Sequence, residues 1–138
     1  MCYLATMPAP PAPSDGEELR LWLQNRLPGF KQAIAASYDP EDGIYTPHHV
    51  CSVLTSFVRD GGVGFDSPRM AALFAMIEGV VARDPRGFTP LSNAFFTCFL
   101  ENLSATEAGE ACLPHMGTVS REFFLNWHRP AGPAPDTA

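Results

Sequence analysis

The sequence predicts an all-α fold, a single-domain bundle or short array of six to seven antiparallel helices. Three observations carry that expectation. In T-P-L-S-N-A-F-F-T-C-F-L-E-N-L, running from Thr89 to Leu103, the residues Leu91, Phe95, Phe99 and Leu103 recur at i, i+4, i+8 and i+12, with Phe96 and Leu100 widening the stripe. That is helical spacing, and a helix so apolar around its girth belongs in the middle of a domain with neighbours on several sides. A hydroxyl residue followed by proline opens a helical pattern three times, at Thr46-Pro47, Ser67-Pro68 and Thr89-Pro90, at nearly even intervals. The hydroxyl can cap the helix, and proline suits its first position because that amide has no partner inside the helix anyway. Finally, no segment alternates polar and apolar residues as a half-buried strand would.

Taken in order, the chain begins with a tail over 1–13 that ends in P-A-P-P-A-P. Such a segment cannot be helical and favours an extended, solvated conformation. A proline-rich segment over 129–138 is its counterpart, which leaves 14–128 as the helical domain. Ser14 with Glu17 reads as a capping box for a first helix, with Leu19, Trp22 and Leu23 on one side and a break at Pro28-Gly29. A short second helix, Phe30 and Ile34 inward, ends near Tyr38. Asp39 to Tyr45 is a turn. It is not a calcium loop: that loop needs glycine sixth and glutamate twelfth, whereas counting from Asp39 glycine is fifth and Val50 is twelfth.

From Pro47 a helix presents Val50, Val53, Leu54, Phe57 and Val58 and stops at Asp60-Gly61-Gly62. From Pro68 another presents Met70, Leu73, Phe74, Ile77 and Val81 and stops near Arg83-Asp84-Pro85. After the Thr89 helix, Ser104 with Glu107 reads as a second capping box, for a short helix over Ala105 to Cys112. Pro114 and Gly117 interrupt, and a last helix runs from Thr118 to Trp127 with Val119, Phe123, Phe124 and Trp127 apolar.

Composition bounds the function. The net charge is -6, the isoelectric point is 5.0 and Lys31 is the single lysine. Nucleic acid is not an expected partner, because phosphate binding needs clustered Lys and Arg. No apolar run approaches the ~20 residues of a membrane span. The N-terminus lacks the basic start and apolar block of a secretory signal, so the expected location is the cytoplasm. Cys2, Cys51, Cys98 and Cys112 show no C-x-x-C spacing, and the last three fall within helical apolar patterns as buried free thiols.

No catalytic motif stands in the sequence, and no cofactor or metal site is expected. His48 and His49 are adjacent, so on a helix they point apart. Cys51 lies three residues beyond His48, which leaves a zinc site built on that pair, or a cysteine nucleophile with a histidine base, as chemical alternatives without further support. Gly61-Gly62-Val63-Gly64 follows no strand and matches no phosphate-binding pattern, which makes it an inter-helix loop.

The acids are more informative. In an up-and-down arrangement Asp39, Glu41, Asp42 and Asp84 meet at one end, with Arg83 and Arg86 partly offsetting them. Asp60, Asp66, Glu101, Glu107 and Glu110 gather at the other, with Arg59 and Arg69 nearby. This second end is expected to be the more negative, and an acidic helical surface favours basic partners.

The stretch from about Pro28 to Trp127 resembles a family of small all-helical bacterial proteins. The resemblance rests on the Asp42-Gly43 turn before a helix, the A-L-F-A-M-I-E helix at Ala72 to Glu78, and F-L-E-N-L at Phe99 to Leu103. Proteins of that kind look like immunity proteins of polymorphic toxin systems. The resemblance implies a non-enzymatic protein that binds a cognate, basic toxin domain through its acidic surface. A helical adaptor or chaperone for a secreted effector is the alternative. The nine acids named above are the expected contact residues.

Overall fold

The computed structural model describes residues 12–37 and 45–127. Seven helices and no strand occur among them. They are α1 (Gly16–Arg26), α2 (Phe30–Ser37), α3 (Pro47–Arg59), α4 (Pro68–Arg83), α5 (90–103), α6 (Glu107–Cys112) and α7 (Thr118–Trp127). A 3-10 turn, Leu113–His115, joins α6 to the link before α7.

The three hydroxyl-proline openings cap as expected. Thr46, Ser67 and Thr89 accept from the backbone N–H groups of His49, Met70 and Ser92, each with proline at the helix start. The two expected capping boxes are displaced. Asp15, not Ser14, caps α1 by accepting from the Glu18 N–H at 2.8 Å, while the Glu18 carboxylate accepts from the backbone N–H and hydroxyl of Ser14. Thr106, not Ser104, caps α6 by accepting from the Gly109 N–H at 2.9 Å. Ser104 instead donates back to the Glu101 carbonyl and helps to end α5. Where cap-competent residues stand side by side, local chemistry alone does not choose among them.

α5 holds the centre and packs against α3, α4 and α7. Its expected stripe is inside: Leu91, Phe95, Phe96, Phe99, Leu100 and Leu103 are all buried. Phe99 meets Phe95 edge-on and Phe74 of α4 at a tilt, with centroids 6.4 and 5.7 Å apart. The helix is not uniform, however. Pro90–Ala94 and Glu101–Leu103 are α-helical, but Phe95–Leu100 between them forms a π-helical turn. Such turns leave backbone groups that need outside partners. Here the Cys98 carbonyl accepts from the Thr55 hydroxyl of α3 at 2.6 Å and from the Asn102 side-chain amide at 3.1 Å.

Two contacts fix the direction of α3 against α5. His48 and Asn93, near their starts, pair at 2.9 Å, and Thr55 meets Cys98 further along. The two helices therefore run parallel, with α4 running the other way. At the end of α3, the Gly61 N–H bonds the Val58 carbonyl and the Gly62 N–H bonds the Phe57 carbonyl. This closing turn requires a left-handed residue, supplied by Gly61 at φ 83°. Phe57 then packs edge-on against Phe30, at 5.5 Å between centroids, which ties α2 to α3.

α7 is started from another helix. Gly117, whose carbonyl opens the α7 ladder by accepting from the Arg121 N–H, has no side chain to cap it. Glu78 of α4 takes that role. Its carboxylate accepts from the Val119 N–H at 2.8 Å, the Ser120 N–H at 2.9 Å and the Ser120 hydroxyl at 2.8 Å. A Cβ at position 117 would overlap the Glu78 side chain, so glycine here also makes room for the cap.

Candidate functional site

The parallel course of α3 and α5 brings the expected second group of acids to one end of the bundle. Asp60 closes α3 and is exposed, and Asp66 is exposed in the following loop. The carbonyl of Phe65, beside Asp66, pairs with His115 Nε2 at 2.8 Å, so the 3-10 turn after α6 lies against this loop. Half-buried Glu101 belongs to the last turn of α5, and exposed Glu107 and Glu110 to α6, which packs on α3.

The other group is not comparable. Asp39, Glu41 and Asp42 lie outside the described residues. Asp84 Oδ2 accepts from the backbone N–H of Thr89 at 2.7 Å and from its hydroxyl at 2.8 Å, while the Asp84 carbonyl accepts from Ser92. The Thr89 backbone N–H first, and then its hydroxyl, hold the ionised form and keep the Asp84 carboxyl below its ordinary range. Asp84 thus organises the α4–α5 loop.

Asp60 also closes a groove of about 450 Å³ between α2 and α3, the side of α3 away from the core. Residues His49, Ser52, Val53, Ser56, Phe57 and Asp60 line it from α3, and Ala33 and Ser37 from α2. Their spacing on α3 is one helical face. Partial burial lowers the His49 pKa, which favours a neutral imidazole. The groove therefore offers hydroxyls and an imidazole along its length and one carboxylate at its end, a lining suited to hydrogen-bonding a polar segment and receiving a cation near Asp60. Ser52 and Ser56, four residues apart on the face shared with His49 and Asp60, are the sequence signal of this groove, which net charge does not report.

The chemical alternatives gain no geometric support. The His48 ring pairs with Asn93. Cys51 is fully buried, and burial pushes its thiol well above the ordinary value. Burial likewise raises Cys112, to about 12. Among the described residues, no group of three or more His, Cys, Asp or Glu side chains is placed to hold a metal ion, and no helix is long and apolar enough to cross a membrane. Cys51, Cys98 and Cys112 are free thiols, the first and last buried and Cys98 half-buried.

No family model, curated protein or solved structure matches the chain.

Proposed function

We propose that this chain is a non-enzymatic immunity protein that binds a basic toxin domain in the cytoplasm and blocks its active site. The observation that carries the reading is the common end occupied by Asp60, Asp66, Glu101, Glu107 and Glu110, with Asp60 also closing the α2–α3 groove. A toxin acting on nucleic acid or nucleotides presents a positive site, and a negative surface competes with its substrate there. A lysine or arginine from the toxin enters the groove near Asp60, and the exposed acids around it speed the encounter.

Co-expression with the toxin domain tests this. Growth is rescued by the wild-type chain and lost when the five acids are replaced together by alanine. Truncating one central acid weakens binding by about 2 kcal/mol or more, while acids at the rim matter little. Unaltered binding by the five-fold variant refutes this interface.

A second reading, an adaptor or chaperone for a secreted effector, draws on a different surface. Its observation is the exposure of two large apolar side chains, Phe88 at 79% and Trp127 at 50%. The growth assay separates the two, since a chaperone holds its effector without restoring growth.

A further inference from the structure

The acidic character of the chain is interrupted on one flank. The last turns of α1 and the first turns of α4 enclose a pocket of about 290 Å³, lined by Trp22, Arg26, Leu27, Pro68, Arg69 and Ala72. The guanidinium carbon of Arg26 lies 4.5 Å from the centroid of the Trp22 ring. Among the described residues the side-chain ion pair is Arg20 with Glu17, so neither guanidinium of this pocket is paired there. Arg69 stands in the first turn of α4, which contains no acid. A cation at that position opposes the helix dipole, so Arg69 is not explained by the stability of its own helix.

A second hollow of about 310 Å³ shares Trp22 and Arg26 and continues along α1 past Leu21 and Asn25 to Ala12 and Pro13. Leu21 is 42% exposed beside it. The two hollows flank the stacked Trp22–Arg26 pair, one on each side of it. One hollow is cationic, and the other is apolar with Glu18 at its edge.

We infer that the Arg26–Arg69 pocket and the adjoining hollow across the Trp22–Arg26 stack together bind an extended peptide segment of a protein partner, one carrying a carboxylate next to an apolar side chain. Charge complementarity selects the carboxylate: it bridges Arg26 and Arg69 and also satisfies the positive end of α4. The apolar neighbour lies against Trp22 and Leu21, where the indole gives area at little entropic cost. Two facts argue against a polyanion. The chain as a whole is at -6, which repels extended phosphate, and Glu18 bars a second anion from the far hollow. The inference is independent of the toxin-binding reading, because it rests on Arg26, Arg69 and Trp22 and on none of the five acids.

The test is a titration of the 15N-labelled full chain with the capped tetrapeptide acetyl-Ala-Asp-Leu-Ala-amide, followed through the indole N–H signals of Trp22 and Trp127. The expected result is a saturable shift of Trp22 with Trp127 unmoved. The Asn counterpart of the peptide should bind about fivefold more weakly, the scale of one exposed charge contact. Arg69→Gln should weaken the Asp peptide by a similar factor while leaving the rest of the spectrum as in the wild type. Because Arg69 does not touch Trp22 through the stack, its loss reads binding and not a displaced ring. Equal binding of the Asp and Asn peptides, unchanged affinity in Arg69→Gln, or no Trp22 shift overturns the proposal. So does inorganic phosphate matching the peptide, which marks an unselective anion site.

Discussion

Replacing Glu78 by alanine should unlatch α7 from the bundle. The wild-type carboxylate satisfies three donors of α7 at 2.8–2.9 Å, two of them backbone amides of its first turn. Loss of a helix cap costs about 1 kcal/mol, and each buried donor left without a partner costs about 1–3 kcal/mol. Glu78, Val119 and the turn at Gly117 are only partly buried, so water replaces some of the lost bonds, and the net cost should be about 2 kcal/mol. For a helical domain of this length, that lowers Tm by about 8 °C. Glu78→Gln keeps one carbonyl acceptor but loses the charge and the second oxygen, and should cost about 1 kcal/mol. Urea denaturation measures both values, and amide hydrogen exchange locates them. The protection of Val119 and Ser120 should fall before that of α3 or α5. A cost for Glu78→Ala below about 0.5 kcal/mol, or loss of protection spread evenly over the helices, would refute the latch.

Three further outcomes are expected. Thr55→Val should destabilise the fold by about 1 kcal/mol in denaturant unfolding, because the Cys98 carbonyl loses its hydroxyl donor and keeps only the Asn102 amide, whereas Thr55→Ser should recover most of the loss. Asp84 is held below the ordinary aspartate value of 3.8, chiefly by the Thr89 backbone N–H. Its stabilising contribution is therefore present above that pH and lost as pH falls through the lower folded value. Asp84→Ala should accordingly be less stable than the wild type at neutral pH, with the gap narrowing in acid, as thermal melts across pH will show. In a Cys2→Ser background, iodoacetamide should modify Cys98 before the buried thiols. With its pKa at about 12, Cys112 is thiolate in only about one molecule in ten thousand at pH 8, so its native-state labelling, read by mass spectrometry, should await unfolding.

The helices were legible where one local rule spoke without competition. At Thr46, Ser67 and Thr89 a hydroxyl and a proline fixed the start, and apolar spacing identified the buried face. At Ser14-Asp15 and Ser104-Ala105-Thr106 several residues were competent to cap, and the structure moved the start by one or two positions. Trp127 belongs to an apolar spacing yet is half-exposed, because periodicity reports a face and not what covers it. The π-helical turn and the Glu78 cap could not be read locally, since each depends on a partner more than forty residues away in the chain. That Asp60 and Glu101 fall toward the same end was legible because alternating helix direction makes α3 and α5 parallel. The Arg26–Arg69 pocket was not, because it depends on how α1 lies across α4.

The irregular turn in α5 sets a phase for everything beyond it. One residue more or less in a helix rotates all that follows by about 100°. Glu101, α6 and α7 thus owe their azimuth around the central rod to an interior hydroxyl that tethers a single carbonyl. Substitutions at the buried residues Phe95, Phe96, Phe99 and Leu100 can therefore re-aim the outer face without touching any group on it, and shifts in partner preference need not map to the surface where the partner sits.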